Sequence, residues 1–252
     1  MKRFSRLLAG CSLFLALVAQ APAAPQRVVA TTTWTAALAA AAGATDIVTL
    51  APSSLRHPAE YELVPSDVAR LSGAKLIVTT GFEVMADRLS DAAGSRKIPV
   101  LRVDADYSLA TMRASLLAIG AALGTSDAAA RSISALSDFL SSWKVELGAA
   151  GLAGAPVVVH VFQQPLMEEL GFTVAGVFGP GPLEAAQITK LSVLPASLLV
   201  DNWHNEVASP LRETMSRARF VSLINFPGPD GTLTLLDVLK DNRARLRVAA
   251  GY

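Results

Sequence analysis

Short apolar runs alternate along this chain with longer stretches of helical period, and that alternation predicts parallel sheets flanked by helices. In the first half Arg27–Thr32, Asp46–Leu50, Lys75–Thr80 and Val100–Val103 read as strands. Among them lie an alanine-rich helix from Thr35 that stops at Gly43 and a helix capped by Ser66 that runs to Leu71. A further helix over Leu109–Leu123 follows the last of these strands. In the second half the strands are Val157–Val161, Thr173–Val177, Ser197–Val200 and Phe220–Ile224. Helices over Pro165–Leu170, Leu183–Leu191, 206–217 and Leu233–Val248 interleave with them. Between the halves, Ser126–Leu147 sets Ile133, Leu136, Phe139, Leu140, Trp143 and Leu147 at helical spacing, a stripe that demands burial along one side. The expected architecture is α/β, with two lobes, each a mostly parallel sheet flanked by helices, joined by one long connecting helix. The expected boundaries are 24–124 for the N-terminal lobe, 125–150 for the connecting helix and 151–252 for the C-terminal lobe.

The N-terminus changes that picture by adding an address. Basic Lys2, Arg3 and Arg6 precede an apolar run to Val18, and Ala21-Pro22-Ala23 offers a small-residue cleavage site. Residues 1–23 therefore read as a signal peptide, which predicts a periplasmic protein. Leu8-Ala9-Gly10-Cys11 resembles a lipoprotein box, but the apolar run continues well past it, which favours cleavage after Ala23 over a lipid anchor at Cys11. Cleavage there takes the formal charge from +1 to −2 by removing three cations, and it removes the single cysteine. Without cysteine there are no disulfides and no thiolate ligands. Without a basic stripe there is no footprint for nucleic acid. Beyond residue 23 no uninterrupted apolar stretch is long enough for a membrane span.

Candidate chemistry rests on three histidines, none inside a helical stripe. His57 lies in a loop before Pro58, His160 closes an apolar strand, and His204 follows another strand. Ligands of open α/β sheets bind outside the carboxyl ends of the strands, and neutral imidazole is the commonest protein ligand for transition metals. His57, His160 and His204 are thus candidate metal ligands, weighed against a loop histidine and a satisfied core histidine. Asp104 and Asp106 follow a strand, where helix capping competes with ligation. Asp201 stands three residues before His204, and Asp230 sits in a Pro/Gly loop, where turn formation accounts for an aspartate equally well. Trp34, Tyr61, Phe162 and Trp203 offer aromatic walls for an organic ligand or ordinary packing. No G-x-S-x-G, P-loop, G-x-G-x-x-G or H-E-x-x-H motif occurs and no serine sits on an evident nucleophile elbow, so the signals for an enzyme are poor.

Tyr61-Glu62-x-x-Pro65-Ser66-Asp67, then Leu71, Ala74-Lys75-Leu76-Ile77 and Gly81-x-Glu83, resembles the cluster A-I substrate-binding proteins of ABC importers, which take up zinc, manganese or iron. His160 with Leu170-Gly171, Pro180-Gly181-Pro182 and Thr234-x-x-Asp237-x-x-x-x-Asn242 extend the likeness through the second half. The resemblance implies two α/β lobes bridged by a rigid helix, with the metal held between them. It also shows departures. The family's first histidine falls on Ala59, two residues after His57; its second aligns with Asp104, near Asp106; and its late carboxylate falls near Asn225, with Asp230 beyond. His160 alone matches a family ligand.

These readings combine into an expected monomeric periplasmic solute-binding protein that captures a divalent transition metal and delivers it to an ABC permease. Zinc is favoured, with manganese or iron as alternatives. The same fold binding a small organic ligand or a metal chelate is the competing reading. A metal-dependent hydrolase using Asp201 as base, and an accessory protein with an apolar docking patch, stand further off.

Overall fold

The structure is a computed structural model and describes residues 26–252; the segment read as a signal peptide, with Cys11, lies outside them. The N-terminal lobe is built from β1 (Arg27–Ala30), α1 (Thr33–Ala41), β2 (Asp46–Thr49), α2 (Pro65–Arg70), β3 (Ala74–Thr79), α3 (Ala86–Arg96), β4 (Val100–Arg102) and α4 (Leu109–Leu123). The long helix α5 (Ser126–Ala149) then leads into the C-terminal lobe. That lobe runs β5 (Pro156–His160), α6 (Gln164–Glu169), β6 (Thr173–Phe178), α7 (Ala185–Ser192), β7 (Leu198–Asn202), α8 (Ser209–Thr214), β8 (Arg219–Leu223) and α9 (Leu235–Ala250).

Each lobe holds a four-stranded, wholly parallel sheet, in the orders β2-β1-β3-β4 and β6-β5-β7-β8. The two orders are the same, since each lobe's first strand is central and its third lies on the other side. Each sheet therefore reverses direction of winding beside its first strand, at β1/β3 and β5/β7. Such a switch point opens a crevice at the carboxyl ends of the strands. Central strands buried on both faces account for the unbroken apolar runs Val28–Ala30 and Val157–Val159, all inaccessible to solvent.

The two lobes share one core. Val28, Leu38 and Val78 of the first belong to the same apolar cluster as Val157, Leu198 and Leu239 of the second, joined through α4, α5 and α9. The α5 stripe is buried at Ile133, Leu136, Leu140, Trp143 and Leu147; Phe139 stays half-buried and packs edge-on against Trp143 at 6.1 Å. Among the described residues no helix is long and apolar enough to cross a membrane.

All eight expected strands are present, and two helical expectations are corrected. Helix α3 has no counterpart in the periodicity, because its core-facing side consists of Leu89 and Ala93, too thin a stripe to stand out. The helix expected over 206–217 is confined to Ser209–Thr214, after a short turn over Trp203–Asn205. Pro210 explains the late start: it fits the first turn of a helix and disfavours helical geometry in what precedes it.

Candidate functional site

The crevices of the two sheets face each other across a cavity of about 400 Å³. From the N-terminal lobe its wall receives Trp34 after β1, His57 from the loop after β2, Phe82 after β3 and Asp106 after β4. From the C-terminal lobe it receives Phe162, Asn202, His204 and Asn225, each at or just beyond a strand end. The volume falls in the range of small-molecule sites.

Local sequence sets each group. His57 is exposed and precedes the short turn Pro58–Glu60, where no hydrogen bond of its side chain caps the turn. His204 rides the turn over Trp203–Asn205 that ends β7, nearly buried, with Phe226 edge-on at 5.1 Å. Its Nδ1 accepts the Asn225 N–H at 3.4 Å, and among the described residues no hydrogen bond engages Nε2. Burial pushes the His204 pKa down to about 3, with the Asn225 bond opposing and nearby His57, Arg56 and Arg245 adding slightly. The ring is therefore neutral at pH 7.

His160 is placed differently. It is fully buried between the rings of Phe162 at 5.0 Å and Phe178 at 5.5 Å, and it does not line the cavity. Its Nδ1 accepts the Phe162 N–H at 3.1 Å, so Nε2 carries the proton and donates to Asn205 Oδ1 at 2.9 Å. Both nitrogens are thus engaged. A Cβ on Gly179 would lie 2.5 Å from Nε2, so only glycine, here at φ 81°, lets the backbone lie over that ring. Burial lowers the His160 pKa, against the Asn205 bond and the charge of Asp201.

The aspartates divide. Asp106 reaches the wall, but its oxygens also accept from Ser108 N–H at 2.7 Å and Thr111 Oγ1 at 2.9 Å, which fixes the entry to α4. Asp104 is exposed and outside the wall. Asp201 accepts the Asn202 and Ala208 N–H groups at 2.8 and 3.0 Å and holds the turn after β7; burial raises its pKa and those bonds oppose the rise. Asp230, at φ 53°, pairs with Arg245 at 2.5 Å. Among the described residues no group of three or more His, Cys, Asp or Glu stands close enough to hold a metal ion. His57 and His204 are the two histidines on the wall, with Asp106 and Glu60 as its carboxylates.

Sequence reasoning did not single out Phe82, Asn202 or Asn205 for this wall. Their one legible signal is position, since each follows a strand end or forms one. Tyr61 lies elsewhere, donating to Asp67 at 2.9 Å, and Trp203 packs beneath the Arg56 guanidinium at 5.0 Å. Three wall residues carry a buried polar atom without a partner among the described residues: Trp34 Nε1, Asn202 Nδ2 and Asn225 Oδ1. Each such atom costs roughly 1–3 kcal/mol. Ligand sites are where such costs are tolerated, because the ligand supplies the missing partner.

No protein-family model and no curated protein matches the sequence. Solved structures do match, over nearly the whole chain. The SBP FpvC of Pseudomonas aeruginosa in complex with Ni²⁺ aligns at a TM-score of 0.68 and 16% identity, covering 90% of this chain and 96% of its own. The laminin-binding protein Lbp of Streptococcus pyogenes gives 0.65 and 15%, over 89% and 98%. The Mn-bound periplasmic metal-binding protein of Candidatus Liberibacter asiaticus gives 0.63 and 13%, over 88% and 98%. At such identities the likeness establishes the fold, that of two-lobed α/β substrate-binding proteins, and these neighbours are named as binding proteins rather than enzymes.

Proposed function

We propose that the chain is a periplasmic solute-binding protein that captures a divalent transition metal as cargo in the cavity between its lobes and passes it to an ABC permease, without chemistry on the cargo. One observation carries the reading: the two lobes each present an imidazole, His57 and His204, to the same cavity. His204 is held neutral, and coordination through Nε2 would move its proton to Nδ1 at the cost of the long Asn225 N–H bond. Metal-binding neighbours of the same fold support it. Imidazole donors favour zinc, and carboxylates such as Asp106 and Glu60 would shift preference toward manganese or iron. His160 would join only by giving up one of its two hydrogen bonds. Asp104, Asp201 and Asp230 would need rearrangement to reach the ion. The domain limits, a monomeric state and export by residues 1–23 belong to the same proposal.

Metal analysis of the purified mature chain, with thermal melts at varied zinc, manganese and iron, tests it. At a hundredfold excess over Kd a ligand of the folded state contributes about 2.7 kcal/mol, which raises Tm by roughly 5–10 °C in a chain of this size. His204→Ala and His57→Ala should each lose that rise. The reading fails when no metal is retained and no metal shifts the melt.

A further inference from the structure

Two imidazoles leave a transition metal with open coordination positions, and the cavity presents far more apolar wall than an ion alone would touch. Phe82 from the N-terminal lobe is 59% exposed and Phe162 from the C-terminal lobe 43%, and both line this cavity. Phenyl rings left in water at a cavity wall bury almost no apolar surface against a metal ion, but they do so against an apolar ligand face. Trp34 Nε1, Asn202 Nδ2 and Asn225 Oδ1 are buried, lack partners and belong to residues of the same wall. Two of these atoms are N–H donors, which call for oxygen acceptors on the ligand. Trp34 itself is anchored by stacking on Tyr107 at 5.1 Å and edge contact with Phe226 at 5.3 Å, so its position is set by the fold. About 400 Å³ corresponds to roughly a dozen water volumes, room for a ring with substituents as well as a metal.

We infer that the cargo is a metal complex of a small planar chelator bearing oxygen donors. The two histidines fill the metal's open positions, Phe82 and Phe162 contact the chelator's flat face, and its oxygens meet the unpartnered N–H groups once the side chains covering them shift aside. This inference rests on the metal-capture reading above and assigns the cavity's remaining surface to the organic part.

The sign of one titration tests it. Zinc alone, pyridine-2-carboxylate alone and an equimolar mixture of the two are titrated calorimetrically into the metal-free mature chain. A chelator that merely competes for zinc lowers the apparent affinity, whereas one that enters with the metal raises it. The expected result is binding at least about tenfold tighter for the mixture than for zinc alone, equivalent to about 1.4 kcal/mol. Phe82→Ala and Phe162→Ala, both substitutions at exposed positions, should bring that ratio to one or below. Trp34→Phe, which keeps a ring and removes the N–H, should lower it severalfold. Weaker binding in the mixture, or a ratio untouched by the phenylalanine substitutions, overturns the inference and leaves zinc capture standing. Binding of pyridine-2-carboxylate alone with no gain from zinc overturns the inference and the metal reading together, as does no binding of zinc in either form.

Discussion

The two lobes repeat one strand order but finish it in opposite ways. At the crest of the N-terminal sheet the chain converges on one carboxylate, Glu83. It accepts from Thr31 Oγ1 at 2.5 Å, Thr79 Oγ1 at 3.0 Å, Thr80 N–H at 3.0 Å and Gly81 N–H at 2.7 Å. Burial opposes its ionisation, yet these bonds hold its pKa below the usual range. At the crest of the C-terminal sheet the chain converges on carboxamides. Gln163 Nε2 donates to Asn202 Oδ1 at 2.9 Å and to Leu223 O at 3.2 Å, while Gln163 Oε1, Asn202 Nδ2 and Asn225 Oδ1 remain without partners. A buried charge is tolerated only when saturated with donors, whereas a neutral amide can be buried incompletely at moderate cost. The first crest is therefore a largely fixed support, in which the Thr80 hydroxyl lacks a partner among the described residues, and the second keeps more hydrogen-bonding capacity in reserve beside the cavity.

The largest expected effect follows from that contrast. Glu83→Ala leaves the Thr79 hydroxyl and the Thr80 N–H without an acceptor, while the Gly81 N–H keeps Thr79 Oγ1 and Thr31 Oγ1 keeps Thr35, so a loss of about 2–4 kcal/mol in unfolding free energy is expected. Asn202→Ala removes one acceptor and one atom that was already unpaired, so about 1 kcal/mol is expected. Urea denaturation of both variants measures the difference. Equal costs would mean that the C-terminal crest is as fully committed as the N-terminal one.

The same contrast decides what could be read beforehand. The residues that carried the family resemblance are those that fix the fold. Asp67 accepts from Tyr61 and the Val64 N–H, Asp237 forms a capping box with Thr234, and Asn242 bonds both the N–H and the C=O of Ile224 at 2.8 Å. The Asp67 and Asp237 bonds are local, so motif spacing reveals them, whereas Asn242 reaches back 18 residues; the two-lobed parallel architecture was legible from the alternation of apolar runs and helical periods. The cavity was less so. His160, His204 and the strand-end aspartates could be placed near a crest, but alternation along a strand does not say which ring nitrogens are already bonded. His160 meets Asn205 from another strand's end, and Asp201 is used up by a turn several residues on. Asn202 carried no signal of its own, and Asn225 carried only its place where the resemblance expects a carboxylate, because an amide's freedom depends on neighbours distant in sequence.

Acid separates the crests next. The His204 pKa falls from its ordinary 6.5 to about 3 in the folded chain, so the unfolded chain binds the extra proton between those values. Stability from this group is complete above pH 6.5 and declines as pH falls toward 3, at about 1.4 kcal/mol per unit. His160 shifts in the same direction. Glu83 follows the carboxylate rule: its contribution is complete above its ordinary 4.5 and is lost below it. Urea titrations of the metal-free protein from pH 7 to 5.5 should therefore weaken the wild type by at least about 1.4 kcal/mol, and His204→Asn should remove that part of the slope. A flat wild-type profile over this window would show that His204 is not buried neutral in the folded state.

The smallest effect concerns the link between the crests. Arg56, beside His57, reaches across to the C-terminal lobe, donating to Trp203 O at 3.2 Å and pairing with Glu206 at 2.6 Å while covering the Trp203 ring. Both charged side chains are more than 40% exposed, so water and salt screen the pair. Arg56→Ala should cost about 0.2–1 kcal/mol at low salt, and less in 1 M sodium chloride. The shared apolar core already holds the lobes together, which leaves this bridge little to add to stability. It stands where one lobe's histidine loop meets the other's, so its loss should show more in how fast bound metal escapes than in where the protein melts. Stopped-flow release of zinc to a chelator, run alongside the melts, separates the two. A cost above about 2 kcal/mol that persists in high salt would place Arg56 in the common scaffold, not at a screened surface contact.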